Sequence, residues 1–382
     1  MYFSSLKCWR LPVACLLLIS PIFSYGSEFF IPDAKPNLGL LSGFKGSELC
    51  SVAENTHAYL EQHADDKLAV HAGKVFGNSV SLARVKRTLA FICQTYREDV
   101  RQQRNSRLHD PEFLKQHFDF LRWQPDKASA DKIASASTNA TKSRMLTSIP
   151  QDKLFWTKYY TKLLDASPVQ TSTYDQALYA LPFDEAGKTL EQAEREKEQL
   201  TRFRYTRQQV ISGVLLEKKL ANPLVWLTEE ALHDVLLQGT GVMQVDGKTR
   251  YFNVHRNNGI GYDYGIGKRE QPRYWYFAEV PSIMGYGKKL ADKIAIKPQV
   301  SFAGNVADLG LGKLILMSYS GEDGLLSRMG VLADQGGAFD NNLFQLDMLV
   351  DSYYGWDDFH QANKQLPDYA QTWIMLLKDG VH

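Results

Sequence analysis

The sequence predicts a mainly β protein with helices gathered on its N-terminal side, and three observations predict it. Leu82, Val85, Leu89, Ile92 and Tyr96 recur at three- and four-residue spacing, which marks one apolar face of a helix. From about Val235 onward the apolar residues come instead in short alternating runs cut by glycine. One such run, Gly241 to Val245, leads into Asp246-Gly247, a dipeptide suited to a tight hairpin turn.

The elements follow in order. Lys7 and Arg10 precede an apolar stretch from Leu11 to Phe23, and the small residues Ser24 and Gly26 suit a cleavage site before Ser27. Residues 1–26 therefore read as a secretory signal peptide, too short for a comfortable membrane span of roughly 20 apolar residues, the alternative being an uncleaved anchor. Cys15 sits inside the apolar run rather than closing it, which argues against a lipidated cysteine. Cys8 and Cys15 leave with the signal. Cys50 and Cys93 remain, and in an exported chain they read as one disulfide, the alternative being two buried thiols.

Residues from about Leu49 to Arg104 read as helical, with Ser79 or Ser81 as a cap for the stripe that starts at Leu82. Pro111 to Leu121 reads as a short helix with proline in its first turn. Asp126 to Ser148 is rich in Lys, Ala, Ser and Thr and reads as an exposed linker. Thr189 to Arg204 is charged and helix-prone. Beyond Val235, Phe252, Tyr274 to Phe277, Leu314 to Met317 and Met329 to Leu332 fall in short strands of a barrel or sandwich.

Composition narrows the function classes. The 382 residues suffice for two modest domains or one large one, and 44% hydrophobic content suffices for a core. Lys and Arg number 44 against 43 Asp and Glu, with no long basic run, so no nucleic-acid surface is indicated. An aromatic content of 12% fits core filling, or stacking platforms for sugar rings. There is no HExxH, no CxxC and no glycine-rich phosphate loop, so neither a metal nor a cofactor is expected.

Several segments then occur in a telling order. They are Leu154 to Tyr160, Tyr174 with Leu178 to Pro182, Thr206 to Gly213, Trp226, Gln238-Gly239-Thr240-Gly241, Asn258-Gly259-Ile260-Gly261-Tyr262, Asp334-Gln335-Gly336-Gly337-Ala338-Phe339 and Asp351-Ser352-Tyr353-Tyr354-Gly355. Together they resemble the membrane-bound lytic murein transglycosylase A family with its C-terminal three-Asp domain. The resemblance implies a double-psi β-barrel with a second β-rich domain inserted. Residues 27–158 would form the N-terminal helical part of the barrel domain, 159–298 the insert and 299–382 the C-terminal barrel segment.

The activity so implied is cleavage of the β-1,4 bond between N-acetylmuramic acid and N-acetylglucosamine. The muramic C6 hydroxyl attacks its own C1, giving a 1,6-anhydro product. One carboxyl must donate and later accept a proton, so its pKa must be raised. The resemblance puts that acid at Asp351, with Asp334 beside it. Asp347 is the alternative, since it fits a shorter insertion, and four-residue spacing would put it on the same strand face as Asp351. Thr157, Tyr159 and Tyr160 would line the hinge side of a glycan groove. Gln238, Gly239, Thr240, Gly241, Asn258, Gly259 and Tyr262 would line the inserted domain's side. Gly336 and Gly337 would let backbone approach the sugar.

The implied partners are peptidoglycan glycan strands, a membrane surface met peripherally, and other cell-wall enzymes. The implied location is the periplasm, with outer-membrane association. Three departures stand against the family pattern. Lys158 replaces a glycine, Asn305 replaces the first of three aspartates with Asp308 close by, and Val254 to Gly259 diverges. They keep two other readings open: an inactive glycan-binding protein on the same scaffold, and a hydrolase that uses water.

Overall fold

The computed structural model describes residues 28–322, 324–336, 339 and 341–381. The expected signal peptide and Gly337 lie outside them. Sixteen strands are described. The N-terminal part supplies β1 (Phe30–Pro32), β2 (Leu40–Leu41), β3 (Phe118–Trp123) and β4 (Leu154–Ala166). The middle supplies β5 (Gln176–Tyr179), β6 (Pro223–Leu227), β7 (Thr240–Val245), β8 (Lys248–Asn257), β9 (Trp275–Val280), β10 (Ile283–Met284) and β11 (Ala295–Ile296). The C-terminal part supplies β12 (Ser301–Ala303), β13 (Leu314–Gly321), β14 (Gly324–Asp334), β15 (Gln345–Tyr353) and β16 (Tyr369–Leu377).

Pairing closes six of these strands into a ring. β4 pairs β16, β16 pairs β13, β13 pairs β14, β14 pairs β12, β12 pairs β15, and β15 returns to β4. Closure leaves no open edge among them. Trp156, Trp373, Leu316 and Phe302, each at most 1% exposed, belong to the core that the ring shares with the N-terminal helices.

β4 has 13 residues, about twice an ordinary strand, and serves two bodies. Its first part belongs to the ring. Its last four residues, Leu163 to Ala166, pair with β7 and start the sheet β4-β7-β8-β9 of the middle region. That region has its own core around Leu178, Val225, Leu227, Val235, Phe252 and Phe277. The boundary expected after residue 158 thus falls inside a continuous strand. β10 and β11 pair with each other, and Ile283, Tyr286, Ile294 and Ile296 return to the main core.

The hairpin expected at Asp246-Gly247 is present, with φ of 49° and 73° at the two residues. The disulfide expected between Cys50 and Cys93 is present too. It ties helix α1 (Gly46–Gln62) to helix α2 (Leu82–Arg101), whose N-cap is Ser81.

Four sequence expectations need correction. The helix expected from Leu49 to Arg104 is two helices. Gly73 and Gly77, both with positive φ, turn the chain between them. The helix expected to reach Leu121 is α3 (Pro111–His117), and Phe118 onward is β3. Phe118 and Phe120 point to one buried face and Trp123 is buried on the other, and this burial outweighs helix propensity there. The expected linker after Asp126 holds two helices, α4 (Lys127–Ala136) and α5 (Ala140–Thr147), capped by the Asp126 and Asn139 side chains. They bury Ala130, Ala134 and Leu146 on Phe155 and Phe344, so alanine rather than a large residue makes the packed face. Within Thr189 to Arg204 only Leu190–Arg195 is α-helical.

Candidate active site

One lateral row of residues crosses the ring where β14, β12, β15 and β4 lie side by side. Asp334 pairs with Ala303, Ala303 with Asp347, and Asp347 with Thr157. Neighbouring strands lie about 4.8 Å apart, so the two aspartates sit two strands, roughly 10 Å, apart at their backbones. In that row the position between them is Ala303, whose side chain is only a methyl group. Two residues along β4, on the face of Thr157, the Tyr159 hydroxyl donates to Asp334 Oδ2 at 2.8 Å.

Burial sets the electrostatics. Asp334 has its pKa pushed up from 3.8 to about 6, first by loss of solvent. The Tyr159 hydroxyl, the Gln335 N–H at 2.8 Å and the charge on Lys293 restrain that rise. Asp347 is pushed further, to about 7. Loss of solvent is again the main cause, Asp334 adds like-charge repulsion, and Thr157 and Lys158 pull the other way. The Asp347 Oδ1 is buried and has no hydrogen-bond partner. A buried carboxyl oxygen left unsatisfied favours the protonated form and is available to a ligand.

Lys158 takes the place of the expected glycine without blocking this face. Strand alternation turns it away from Thr157 and Tyr159. Its Nζ donates to the Pro367 carbonyl at 2.5 Å, lies 5.0 Å from the Trp156 ring centroid and pairs with Asp368 at 3.8 Å. Burial lowers its pKa to about 8.

Asp351 stands elsewhere. The expectation that it shares a face with Asp347 fails at a bulge. Leu349 pairs with Tyr159 and Asp351 with Tyr160, so Val350 is an extra residue. One added residue reverses the alternation, and Asp351 faces opposite to Asp347. It is exposed, and one carboxylate oxygen accepts from the Ser352 N–H at 2.9 Å. Asn305 is 2% exposed and caps the turn Val306–Leu309, its amide donating to Asp308 at 2.7 Å.

The remaining candidates divide. Thr157 and Tyr159 join the aspartates, whereas Tyr160 stacks on Phe359 with ring centroids 4.8 Å apart. The Gln238 side-chain Oε1 accepts from the Lys162 N–H at 3.0 Å, joining the middle region to β4. Gly239, at φ 76°, ends the helix Glu229–Gln238 against Trp275, and Thr240 accepts from Asn253 at 2.9 Å. A Cβ on Gly241 would meet Met243 and Val235. Asn258, 2% exposed, staples loops, donating to the Tyr205 and Pro272 carbonyls and accepting from the Tyr274 N–H at 3.0 Å. Gly259, at φ 76°, packs on Phe203. Gly336 packs on the Phe339 ring. Tyr262 lies 5.1 Å from Tyr264 in a separate exposed loop.

Lys293, which faces Asp334, was not expected from the sequence, since no motif marks it. The three-ligand cluster Cys50, Glu54 and Cys93 has a metal-like donor set, but its two sulfurs are joined to each other. Among the described residues no helix is long and apolar enough to cross a membrane.

The model of the MltA specific insert domain matches residues 155–270. Among solved structures, MltA from Neisseria gonorrhoeae is 14% identical, with 92% of this chain and 97% of that one covered at a TM-score of 0.50. E. coli MltA with bound chitohexaose is 13% identical, covering 91% and 94% at 0.48. The lytic transglycosylase LtgG of Burkholderia pseudomallei is 17% identical, covering 91% and 94% at 0.43. No curated protein matches. Residues 155–270 are thus similar to the MltA insert domain, and the whole chain has the fold of the gonococcal protein.

Proposed function

We propose that this chain, a divergent MltA-type protein by its insert and its fold, is a periplasmic lytic transglycosylase that cleaves peptidoglycan glycan strands. The observation that carries the reading is the Asp347 carboxyl, with its pKa raised to about 7 and one oxygen free of partners. Asp347, rather than Asp351, is the acid/base. Its proton passes to the glycosidic oxygen as the bond to muramic C1 breaks. The Asp334 carboxylate, steadied by Tyr159, faces the positive charge that develops on that sugar. Asp347, now ionised, takes the proton of the C6 hydroxyl as O6 closes on C1. The 1,6-anhydro ring forms, and the carboxyl returns to its starting state without water.

The test is mass spectrometry of soluble products from purified murein, with wild type beside Asp347→Ala and Asp351→Ala. Anhydro-muropeptides from wild type and Asp351→Ala, but none from Asp347→Ala, is the expected result. Loss only in Asp351→Ala would overturn the assignment. Products heavier by one water would make the protein a hydrolase. Binding to sacculi without any product would make it a glycan-binding protein on this scaffold.

A further inference from the structure

The insert carries a cavity of about 420 Å³ whose lining includes Arg207, Tyr262, Tyr264, Lys268, Arg273 and Trp275. No carboxylate lines it. Among the described residues, Arg207, Lys268 and Arg273 form no ion pair. Arg207 is only 3% exposed, and its Nη1 donates to the Lys268 carbonyl at 2.8 Å, but its Nε has no partner. The Arg273 Nε and the Trp275 indole N–H are likewise buried and unpartnered. Three unsatisfied donors around one cavity are costly unless a ligand accepts from them.

The walls are built rather than loose. Gln271, 2% exposed, donates to the Asp263 carbonyl at 2.6 Å and accepts from the Asp263 N–H at 2.8 Å, closing the loop that carries Tyr262 and Tyr264. The loop's own acids are engaged, Asp263 by the Gly265 N–H and Glu270 by the Gly267 N–H. The Arg273 guanidinium lies 4.9 Å from the Trp275 ring centroid, so charge and aromatic surface adjoin. Guanidinium groups with unused donors select a carboxylate, and an aromatic rim selects a flat C–H face such as that of a pyranose. The volume lies in the usual range for a small-ligand site.

We propose that this cavity is an accessory site for a carboxylate-bearing amino sugar. The acid meets Arg207 and Arg273, and the ring lies against Trp275 and the two tyrosines. The proposal rests on the murein reading only for the source of such a sugar, since muramic acid carries its carboxylate on a lactyl ether.

The probes are N-acetylmuramic acid, N-acetylglucosamine and alanyl-alanine, titrated into the full folded chain with ¹⁵N-labelled indoles. Trp275 is assigned through Trp275→Phe. Monosaccharides hold no glycosidic bond, so the result is independent of Asp347 and of the product assay. The expected result is a saturable shift of the Trp275 indole resonance, with N-acetylmuramic acid binding at least tenfold more tightly than either other probe. Arg273→Gln should remove that preference. Tyr264 is 93% exposed, so Tyr264→Ala should fold as wild type and weaken the acid sugar several-fold. Equal affinity for N-acetylglucosamine would overturn the carboxylate role. Equal affinity for the dipeptide would overturn the sugar role. An unmoved Trp275 resonance would overturn the site.

Discussion

Replacing Asp347 by Asn should abolish activity and stabilise the protein at alkaline pH. The magnitude follows from the carboxyl's environment. Its pKa rises from 3.8 in the unfolded chain to about 7 in the fold. That is about 3 pK units, or a ceiling of about 4 kcal/mol. Asp347 keeps some solvent access, so about 2 kcal/mol is the working figure. Between the two pKa values the folded state binds more protons than the unfolded state. Stability therefore falls as pH rises from about 4 through about 7, and the full cost is present above that. Asn carries no charge and escapes the cost. Urea unfolding at pH 4 and pH 8.5 checks this: the variant should match wild type at pH 4 and exceed it by about 2 kcal/mol at pH 8.5. Activity should fall by at least about 10²-fold, the low end of what general acid–base catalysis contributes. Wild-type activity should decline as pH rises through about 7, as the acid loses its proton. A stability gain equal at both pH values, or a variant that releases anhydro-muropeptides at close to the wild-type rate, would refute the reasoning.

Two further outcomes follow. Tyr159→Phe removes the hydroxyl that donates to Asp334. It should cost about 1 kcal/mol of stability, read by urea unfolding, and raise the Asp334 pKa, read as a shifted acid limb in the pH–rate profile. Reducing the Cys50–Cys93 bond, or replacing both residues by Ser, opens a loop with sequence separation 43. The chain-entropy relation gives about 4 kcal/mol for such a loop as a ceiling, to be read as a lower Tm with and without reductant.

What could be read from the sequence depended on how local the determining physics is. The stripe from Leu82 to Tyr96 and the turn at Asp246-Gly247 are set within a few residues, and both formed as expected. The capping side chains Asp126 and Asn139 were equally local signals for α4 and α5, but alanine-rich composition masked them. β3 was hidden because a helix cap at Asp110 and Pro111 precedes it, and only its packing on the ring stops the helix at His117. At the site, Thr157, Tyr159 and Asp334 were legible through their motif segments. The opposite facing of Asp347 and Asp351 was not, because strand alternation is a strict rule only until a bulge interrupts it. The extra residue at Val350 is fixed by how β15 lies along β4, a tertiary fact that no spacing within the strand reveals. The orphaned donors of Arg207, Arg273 and Trp275 are legible only once their neighbours are known.

The change at Asn305 bears on the charge of the site rather than on its shape. Gly304, just before it, donates its N–H to the Asp334 carbonyl at 3.3 Å, so position 305 leaves the strand row right beside Asp334. An aspartate there would add a third buried negative charge next to two carboxyls that already resist ionisation. It would also face Asp308, with nothing to donate between the two. The Asn305 amide instead donates to Asp308 and, through its oxygen, caps the Val306–Leu309 turn by accepting the Asp308 N–H at 3.2 Å. The exchange removes a charge while keeping the hydrogen-bond geometry. Asp334 can then hold its negative charge at neutral pH while Asp347 keeps its proton, the division of labour that a single acid/base needs.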